Sequence, residues 1–311
     1  MSSPLTLTAT HHKDTYPAIS PTNPSLTQSG KTVLITGGGD GIGFEIARSF
    51  AKASATRIII VGRRDALLEE SAAKLCDEFR TNTTEFIARR GDISSDDSIT
   101  SLWESLHSQN IFVHVLVLNA AHVSQVDFEY GVDTLSLDKA ELTQAVDTNL
   151  VGNFLMSAKF VKQALRPAAQ QLNLINVSTG SIHAHPSPGP VYATTKTAFT
   201  SLIGRIADER PVEDVQIISF HPGILYTEGN AKRFDKSVLK WESLALPADF
   251  SVWAASPEAS WLHGRYVWPH WDVSELKADL EVQKQVQGKG GYLKVGVEGL
   301  RTFDSSVFLN I

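Results

Sequence analysis

Tyr192 and Lys196 stand one helical turn apart in the run Tyr192-Ala-Thr-Thr-Lys196, which continues through Ala198, Leu202, Ile203 and Ile206. An i to i+4 spacing puts the phenol and the ammonium on one face of a helix. A free phenol, with a pKa near 10, is a poor acid–base group at neutral pH. An ammonium at about 4 Å favours the phenolate by at most about 4 kcal/mol at an effective dielectric near 20, up to about three pKa units. A phenol tuned in this way is suited to moving a proton at neutral pH. The pair lies downstream of an apolar run, Leu172 to Val177, that leads into Ser178 and Thr179. Either hydroxyl can donate a hydrogen bond to a reacting oxygen.

A second constellation lies near the start of the chain. The run Thr32-Val-Leu-Ile35 passes directly into Thr36-Gly-Gly-Gly-Asp-Gly-Ile-Gly43. Glycines at 37, 41 and 43 suit a strand that turns sharply into a helix while its backbone approaches a pyrophosphate, with the helix N-terminus supplying N–H donors. A carboxylate at the tip of the next strand would accept the ribose hydroxyls of NAD. Gly62-Arg63-Arg64 stands there instead, with Arg63 twenty positions beyond Gly43. A guanidinium at that place binds a 2′-phosphate through charge-assisted hydrogen bonds, so the cofactor expected is NADP(H). Asp40, inside the glycine turn, sets a negative charge against that choice.

The elements that must hold these groups follow from apolar patterning. Short apolar runs predict strands at Thr32–Ile35, Arg57–Val61, Glu85–Ala88, Val113–Leu118, Leu172–Val177, Val215–Phe220 and Tyr266–Trp268. Helical periodicity predicts helices over Phe44–Ala53, Ala66–Phe79, from Ser94-Ser-Asp-Asp through Leu106, and from Tyr192 onward. Alternation of this kind implies an α/β fold: a Rossmann-type doubly wound parallel sheet of six to seven strands with helices on both faces. Residues 1–30, with Pro4, Pro17, Pro21 and Pro24, read as an extended arm that Tyr16, Pro17 and Ile19 could pin to the body. Residues 31–271 read as the nucleotide-binding and catalytic domain. Residues 272–311 read as an extension with one polar helix near Val273 to Val286, a glycine-containing stretch and an apolar tail.

Composition narrows the function classes. The 311 residues are 42% hydrophobic, enough for a sizeable core. A net charge of −6 disfavours a nucleic-acid partner. Cys76 is the one cysteine, so no intrachain disulfide is expected. No apolar run approaches the roughly 20 residues that span a bilayer, and the first 30 residues lack signal-peptide character. The chain is expected to be cytoplasmic with no membrane partner. His183, His185, His221, His263 and His270 fall in no metal-ligand spacing, so no metal is expected. His183 and His185 could line a substrate cleft or the surface. Five of the six tryptophans lie between 241 and 271, where they either pack the last helix and strand or wall a substrate.

In combination these pieces resemble the short-chain dehydrogenases/reductases. The resemblance rests on Thr36-Gly-x3-Gly-x-Gly43, Asp92, Leu118-Asn119-Ala120, and Asn149 in Thr148-Asn-Leu-Val-Gly152. It continues through Asn176-Val-Ser-Thr179, Tyr192-x3-Lys196 and Pro222-Gly-Ile-Leu-Tyr-Thr227, covering residues 31–268. It implies that Tyr192 is the proton donor or acceptor and that Lys196 lowers its pKa and holds the nicotinamide ribose. It implies further that Asn149 fixes a water leading to Lys196, that Asp92 and Asn119 contact the adenosine part, and that Ile224 and Thr227 meet the carboxamide. Gly37, Gly41, Ile42, Gly43 and Arg63 complete the implied cofactor set. The family's serine lies 13 residues before the tyrosine; Thr179 stands there and Ser178 lies 14 before, so both are candidates. Ala121 replaces the family's glycine.

The implied activity is an NADP(H)-dependent interconversion of a carbonyl and a secondary alcohol on a small molecule, of a kind met in secondary metabolism, by a homodimer or homotetramer. A non-redox reaction in the same fold and a nucleotide sensor are the alternatives, the sensor having no need of an activated phenol. The connection from Pro222 to about Pro247 is long for a compact domain. It carries Leu225, Tyr226, Phe234, Val238, Leu239, Trp241, Leu244 and Leu246 beside Gly229, Asn230, Lys232, Arg233 and Lys236. It is expected to close over a bulky, largely apolar substrate, unless those residues simply pack on the body.

Overall fold

The structure, a computed structural model, describes residues 7–124, 126–128, 133–185, 189–232, 235–288 and 290–297. Its centre is a parallel sheet of seven strands: β1 (Thr32–Thr36), β2 (Arg57–Gly62), β3 (Glu85–Arg90), β4 (Val115–Leu118), β5 (Leu172–Val177), β6 (Val215–Phe220) and β7 (Arg265–Val267). The spatial order is β3-β2-β1-β4-β5-β6-β7, so the winding reverses between β1 and β4. The strands buried on both faces are mostly apolar, with Asn173, Asn176, Gln216 and Ser219 as buried polar exceptions in β5 and β6, and alternate side chains feed two cores. Val33 and Ile35, Val115 and Val117, and Ile218 and Phe220 enter one; Leu34, Leu116 and Ile217 enter the other.

The helices are α1 (Gly41–Lys52), α2 (Asp65–Glu78), α3 (Asp96–Ser108), α4 (Lys139–Val146), α5 (Asn153–Val161), α6 (Pro190–Glu209), α7 (Glu228–Ala231), α8 (Ala245–Ala254), α9 (Val273–Ala278) and α10 (Leu280–Gln287). Side chains of α1, α2 and α8 fill the first core, and those of α3, α5 and α6 the second. The single polar helix expected near Val273 to Val286 is two helices. Asp279 has extended backbone and turns its carboxylate to the N–H groups of Glu281 and Val282, capping a new helix where the old one would have continued. Trp253 and Trp271 are buried in the first core, and Trp261 and Trp268 pack against it.

The N-terminal arm forms two single 3₁₀ turns, Pro17–Ile19 and Pro24–Leu26, each with proline at its start, where no N–H is needed. Tyr16, Ile19 and Leu26 are buried in the first core. Tyr16 donates to the Trp271 carbonyl at 2.9 Å, and the Asp249 carboxylate accepts from Thr15 and Ser49 at 2.6 Å each. Arg233, Phe234 and the apolar tail beyond 297 lie outside the described residues.

Between α4 and α5 the chain widens into a π-helical turn, Asp147–Gly152. The added residue shifts the register, as such bulges do, and turns Asn149 wholly inward. The turn sits so close to the chain after β3 that a Cβ on Gly152 would lie 1.9 Å from the Ile93 carbonyl oxygen. Gly152→Ala is therefore expected to cost about 1–3 kcal/mol or more of stability, read as a lower urea midpoint at unchanged slope. A midpoint equal to the parent's would mean that this turn does not pack on the Ile93 backbone.

Candidate active site

A cleft of about 350 Å³ opens at the C-terminal ends of β1, β2, β4 and β5. This is the edge where the winding reverses, the place at which open α/β sheets bind ligands. Of the residues singled out above, Gly37, Ile42, Arg63, Asp92, Asn119, Ser178, Tyr192 and Lys196 line it. Gly41, Gly43, Asn149, Thr179, Ile224 and Thr227 stand behind or beside it. Val61, Leu67, Leu68 and Ile93 add an apolar wall, and His122 and Thr148 a polar one.

The glycine turn is held by its neighbours. Gly37, at φ +67°, donates its N–H to the Val61 carbonyl at 2.7 Å. A Cβ on Gly43 would lie 2.1 Å from the Gly37 carbonyl oxygen, so α1 can start this close to β1 only with glycine there. Asn119 donates through Nδ2 to the carbonyls of Thr36 and Gly37 at 3.0 and 3.1 Å, bracing the turn from β4. Gly41, at φ +51°, faces the Thr227 methyl, where a Cβ would sit 3.6 Å away. The cradle fits a pyrophosphate: a Cβ at Gly37, Gly38 or Gly43 would clash with its surroundings, and the first-turn N–H groups of α1 are orphan donors by helix geometry.

Asp40 and Arg64 pair at 2.5 Å across the tips of β1 and β2. Such an exposed pair adds little stability, but it offsets the charge that opposed a phosphate here. The neighbouring guanidinium of Arg63 is exposed on the cleft wall and has no ion-pair partner among the described residues. Asp92 turns its carboxylate to the N–H and hydroxyl of Ser94 at 2.9 and 2.7 Å.

At the other end of the cleft, α6 begins at Pro190 and carries Tyr192 and Lys196 one turn apart on one face. Lys196 is 2% exposed and donates one N–H to the Val177 carbonyl at 2.6 Å, leaving two donors. Burial pushes its ammonium down to about 8. The two candidate hydroxyls differ. Ser178 is shared with Thr200 at 2.7 Å, under α6. Thr179 accepts from the Ser181 N–H at 3.2 Å, and its own hydrogen reaches only the Ser181 hydroxyl, at 3.3 Å. The backbone of Thr179 is fixed by the Tyr266 phenol, which donates to its carbonyl at 2.9 Å. Asn149 joins the site indirectly: its Oδ1 accepts from the His122 N–H at 2.7 Å and its Nδ2 donates to Thr195, whose hydroxyl donates to the Tyr192 carbonyl at 2.9 Å.

The turn after β6 is clamped from both sides. His221 Nδ1 accepts from the Gly180 N–H at 2.8 Å. Burial, then the facing His270, pushes His221 down to about 3, so the ring is neutral, as an accepting nitrogen requires. On the outer side the Glu242 carboxylate accepts from the Ile224 N–H at 2.6 Å and pairs with buried His270 at 3.0 Å. Of the apolar residues in the long connection, Leu225 and Leu246 are buried in the body and unavailable to a ligand. Ile224, Val238 and Leu239 are exposed, and Tyr226 and Trp241 meet edge to face at 5.0 Å. His263 pins Ile217, accepting its N–H through Nδ1 at 3.1 Å. His183 lies edge-on to Tyr266 at 5.0 Å.

Sequence reasoning passed over Asp127, Glu242 and the His122–Glu141 pair at 2.7 Å. It also left Arg64 and Asp40 unpaired, although opposite charges leaving adjacent parallel strands at the same end are a usable signal.

A family model described as short chain dehydrogenase matches residues 31–237. A protein called short chain dehydrogenase/reductase nsrO, of Aspergillus novofumigatus, is 34% identical over 93% of this chain and 96% of its own length. The similarly described AacuD of Aspergillus aculeatus is 31% identical, with the same coverage. Among solved structures, a short chain dehydrogenase/reductase family protein superposes with a TM-score of 0.65 at 29% identity, over 78% of this chain and 97% of its own. An L-sorbose reductase from Gluconobacter frateurii shares the fold at a TM-score of 0.69 and 20% identity, over 78% of this chain and 96% of its own.

The burial of Lys196 has a measurable pH signature. Between about 8 and the usual 10.5 the unfolded chain binds more protons than the folded one, so stability rises with pH across that window and the full burial cost is present below it. Lys196→Met cannot titrate. It is expected to be more stable than the parent at neutral pH by about 2 kcal/mol, with the advantage fading as the pH climbs through the window. A pH-independent difference in denaturation midpoints would show that no ammonium is buried there.

Proposed function

The chain belongs to the short chain dehydrogenase family, oxidoreductases that work with a nicotinamide cofactor, and on that premise we propose that it interconverts a carbonyl and a secondary alcohol on a bulky, largely apolar small molecule, using NADP(H). One observation carries the reading: the buried ammonium of Lys196, one turn from Tyr192, at the end of a glycine-built cradle. Arg63, together with the Arg64–Asp40 pair, supports the 2′-phosphate.

When bound, the nicotinamide group supplies or accepts the hydride at the substrate carbon. The chain's own residues handle the proton. Tyr192 holds it at the phenolic oxygen and passes it to or from the substrate oxygen. Lys196, charged at neutral pH, favours the phenolate and turns its remaining donors toward the ribose. Thr179 donates to the substrate oxygen, its own hydrogen having only the 3.3 Å contact with the Ser181 hydroxyl, while Ser178, on the cleft wall, shares with Thr200 a hydrogen bond in which either oxygen can be the donor. Asn149, held between His122 and Thr195, fixes the water that leads away from Lys196. The turn bearing Ile224 and Thr227 holds the carboxamide, and Asp92 and Asn119 flank the adenosine part. Ile224, Val238 and Leu239, beside the Tyr226–Trp241 pair, offer an apolar cover that excludes water. Residues 31–271 form the catalytic unit, with 1–30 and 272–311 as extensions, of which the described arm packs on it through Tyr16, Ile19 and Leu26 and the described C-terminal helices through Val273, Leu276, Val282 and Val286.

Assays of NADPH and NADH oxidation with aromatic ketones and with sugars test this. The reading expects higher kcat/KM with NADPH and with the ketones. Arg63→Ala is expected to lower kcat/KM for NADPH by about 10–100-fold, the worth of a charged hydrogen bond, and to leave NADH nearly unaffected. Tyr192→Phe is expected to lose about 10²–10⁴-fold in kcat with NADPH affinity retained. Near-normal turnover in Tyr192→Phe would sink the mechanism, and preference for NADH in the parent would sink the cofactor assignment.

A further inference from the structure

Helix α6 has no cap of its own. Gly189, at φ +68°, precedes it with no side chain, and Pro190 at its first position has no N–H. The first helical bond runs from Ala193 to the Gly189 carbonyl at 2.8 Å. The N–H groups of Val191 and Tyr192 are thus orphans that a buried helix end must place elsewhere. Both go to one carboxylate from another part of the chain. Asp127, in the 3₁₀ turn Val126–Phe128 after β4, accepts from Val191 at 3.1 Å through Oδ1 and from Tyr192 at 2.8 Å through Oδ2. It is 5% exposed, so this charge has been taken out of water to meet two backbone N–H groups and the positive end of a helix.

The next residue grips the same place from its apolar side. The Phe128 ring lies 5.7 Å from the Tyr192 ring, and a Cβ on Gly189 would come within 2.3 Å of it. The segment leading into this turn carries His122 and Val123, which line the cleft. His122 is itself tied by N–H and carbonyl to the Asn149 carboxamide. One short stretch is therefore fastened to Asn149 at one end and to the backbone of Tyr192 at the other.

We propose that Asp127 is a positioning residue for the proton transfer: by holding the Val191 and Tyr192 N–H groups it fixes where the Tyr192 phenol stands relative to Lys196 and the hydroxyl of Thr179. The proposal rests on the reading that Tyr192 moves the proton. A displacement of about 1 Å in a reacting group costs on the order of a hundredfold in rate, so a helix start that can slide is costly there. Asp127→Asn keeps the shape but turns an NH₂ toward one of the two N–H groups. Asp127→Ala removes both acceptors.

The test compares the parent, Asp127→Asn, Asp127→Ala, Tyr192→Phe and the double variant Asp127→Asn with Tyr192→Phe, with phenanthrenequinone as carbonyl probe and NADPH binding followed by fluorescence. Asp127→Asn is expected to lose about tenfold to a hundredfold in kcat, with the NADPH dissociation constant within about twofold of the parent's. In the Tyr192→Phe background the same substitution is expected to cost nothing further, because the group it positions is gone. Equal losses in both backgrounds would mean a general structural role and overturn the proposal, as would a normal kcat in Asp127→Asn beside an inactive Tyr192→Phe. High turnover in Tyr192→Phe would instead overturn the proton-transfer reading, and the catalytic part of this proposal with it. Hydrogen exchange reads the grip without turnover. The Val191 and Tyr192 amides are expected to exchange at least about tenfold faster in Asp127→Ala, the loss of one hydrogen bond's protection, with Phe199 through Ile206 unchanged. Unchanged exchange at both amides overturns the proposal whatever the kinetics.

Discussion

Asn119 reaches across the gap between β1 and β4 and holds the carbonyls of Thr36 and Gly37, while Gly43 sits on that same Gly37 carbonyl where no Cβ fits. This contact joins the two halves of the sheet at the point where its winding reverses. It lets α1 begin next to the strand it follows, which brings orphan N–H groups to the floor of the cleft. It also sets the path of the chain leaving β4, and so the place of His122, Asp127 and Phe128. The glycine-turn end and the Tyr192–Lys196 end of the cleft are thus referenced to one another through a single side-chain amide and a few glycines.

The Tyr192–Lys196 end depends on burial. An ammonium removed from water without a carboxylate beside it is unfavourable, and Lys196 is tied to the backbone of β5 at Val177. The environment that makes Lys196 costly is what makes its charge effective on a neighbouring oxygen, because low polarity strengthens both terms. Thr179 is prepared differently. Its carbonyl is held by the Tyr266 phenol from β7, while its hydroxyl hydrogen has only a long contact at 3.3 Å.

Much of this was legible in the chain itself. The central strands are short, mostly apolar runs of a doubly covered sheet, and the glycine turn and the Tyr192–Lys196 spacing are local patterns. Boundaries moved by a residue or two, as at β7, where pairing with β6 and not side-chain character decides the end. The break at Asp279 escaped because an acid within an amphipathic repeat reads as a solvated helix position until its carboxylate is seen capping. Asp127 and Glu242 escaped for a different reason. Each meets its partner only after folding, 64 and 18 residues away in the chain, and a lone acid in a loop carries no local sign of it. Leu225 and Leu246 were read with the exposed apolar residues of the long connection because composition cannot tell which of them face the body.

The N-terminal arm is bonded to the other end of the chain. Tyr16 reaches the Trp271 carbonyl, the Thr10 hydroxyl reaches Glu275, the Lys13 carbonyl accepts from Ser243, and the His12 ring pairs with Asp272. On the ribosome, residues of the arm must wait for partners made some 230 to 265 positions later. Until then Tyr16 and Ile19 have no completed niche, and the growing chain carries an apolar handle of the kind that chaperones hold. The stitch closes last, after α9 has emerged. Docking of the arm thus waits for Trp271 and α9, and a ribosome stalled before Trp271 would present an arm with nowhere to dock.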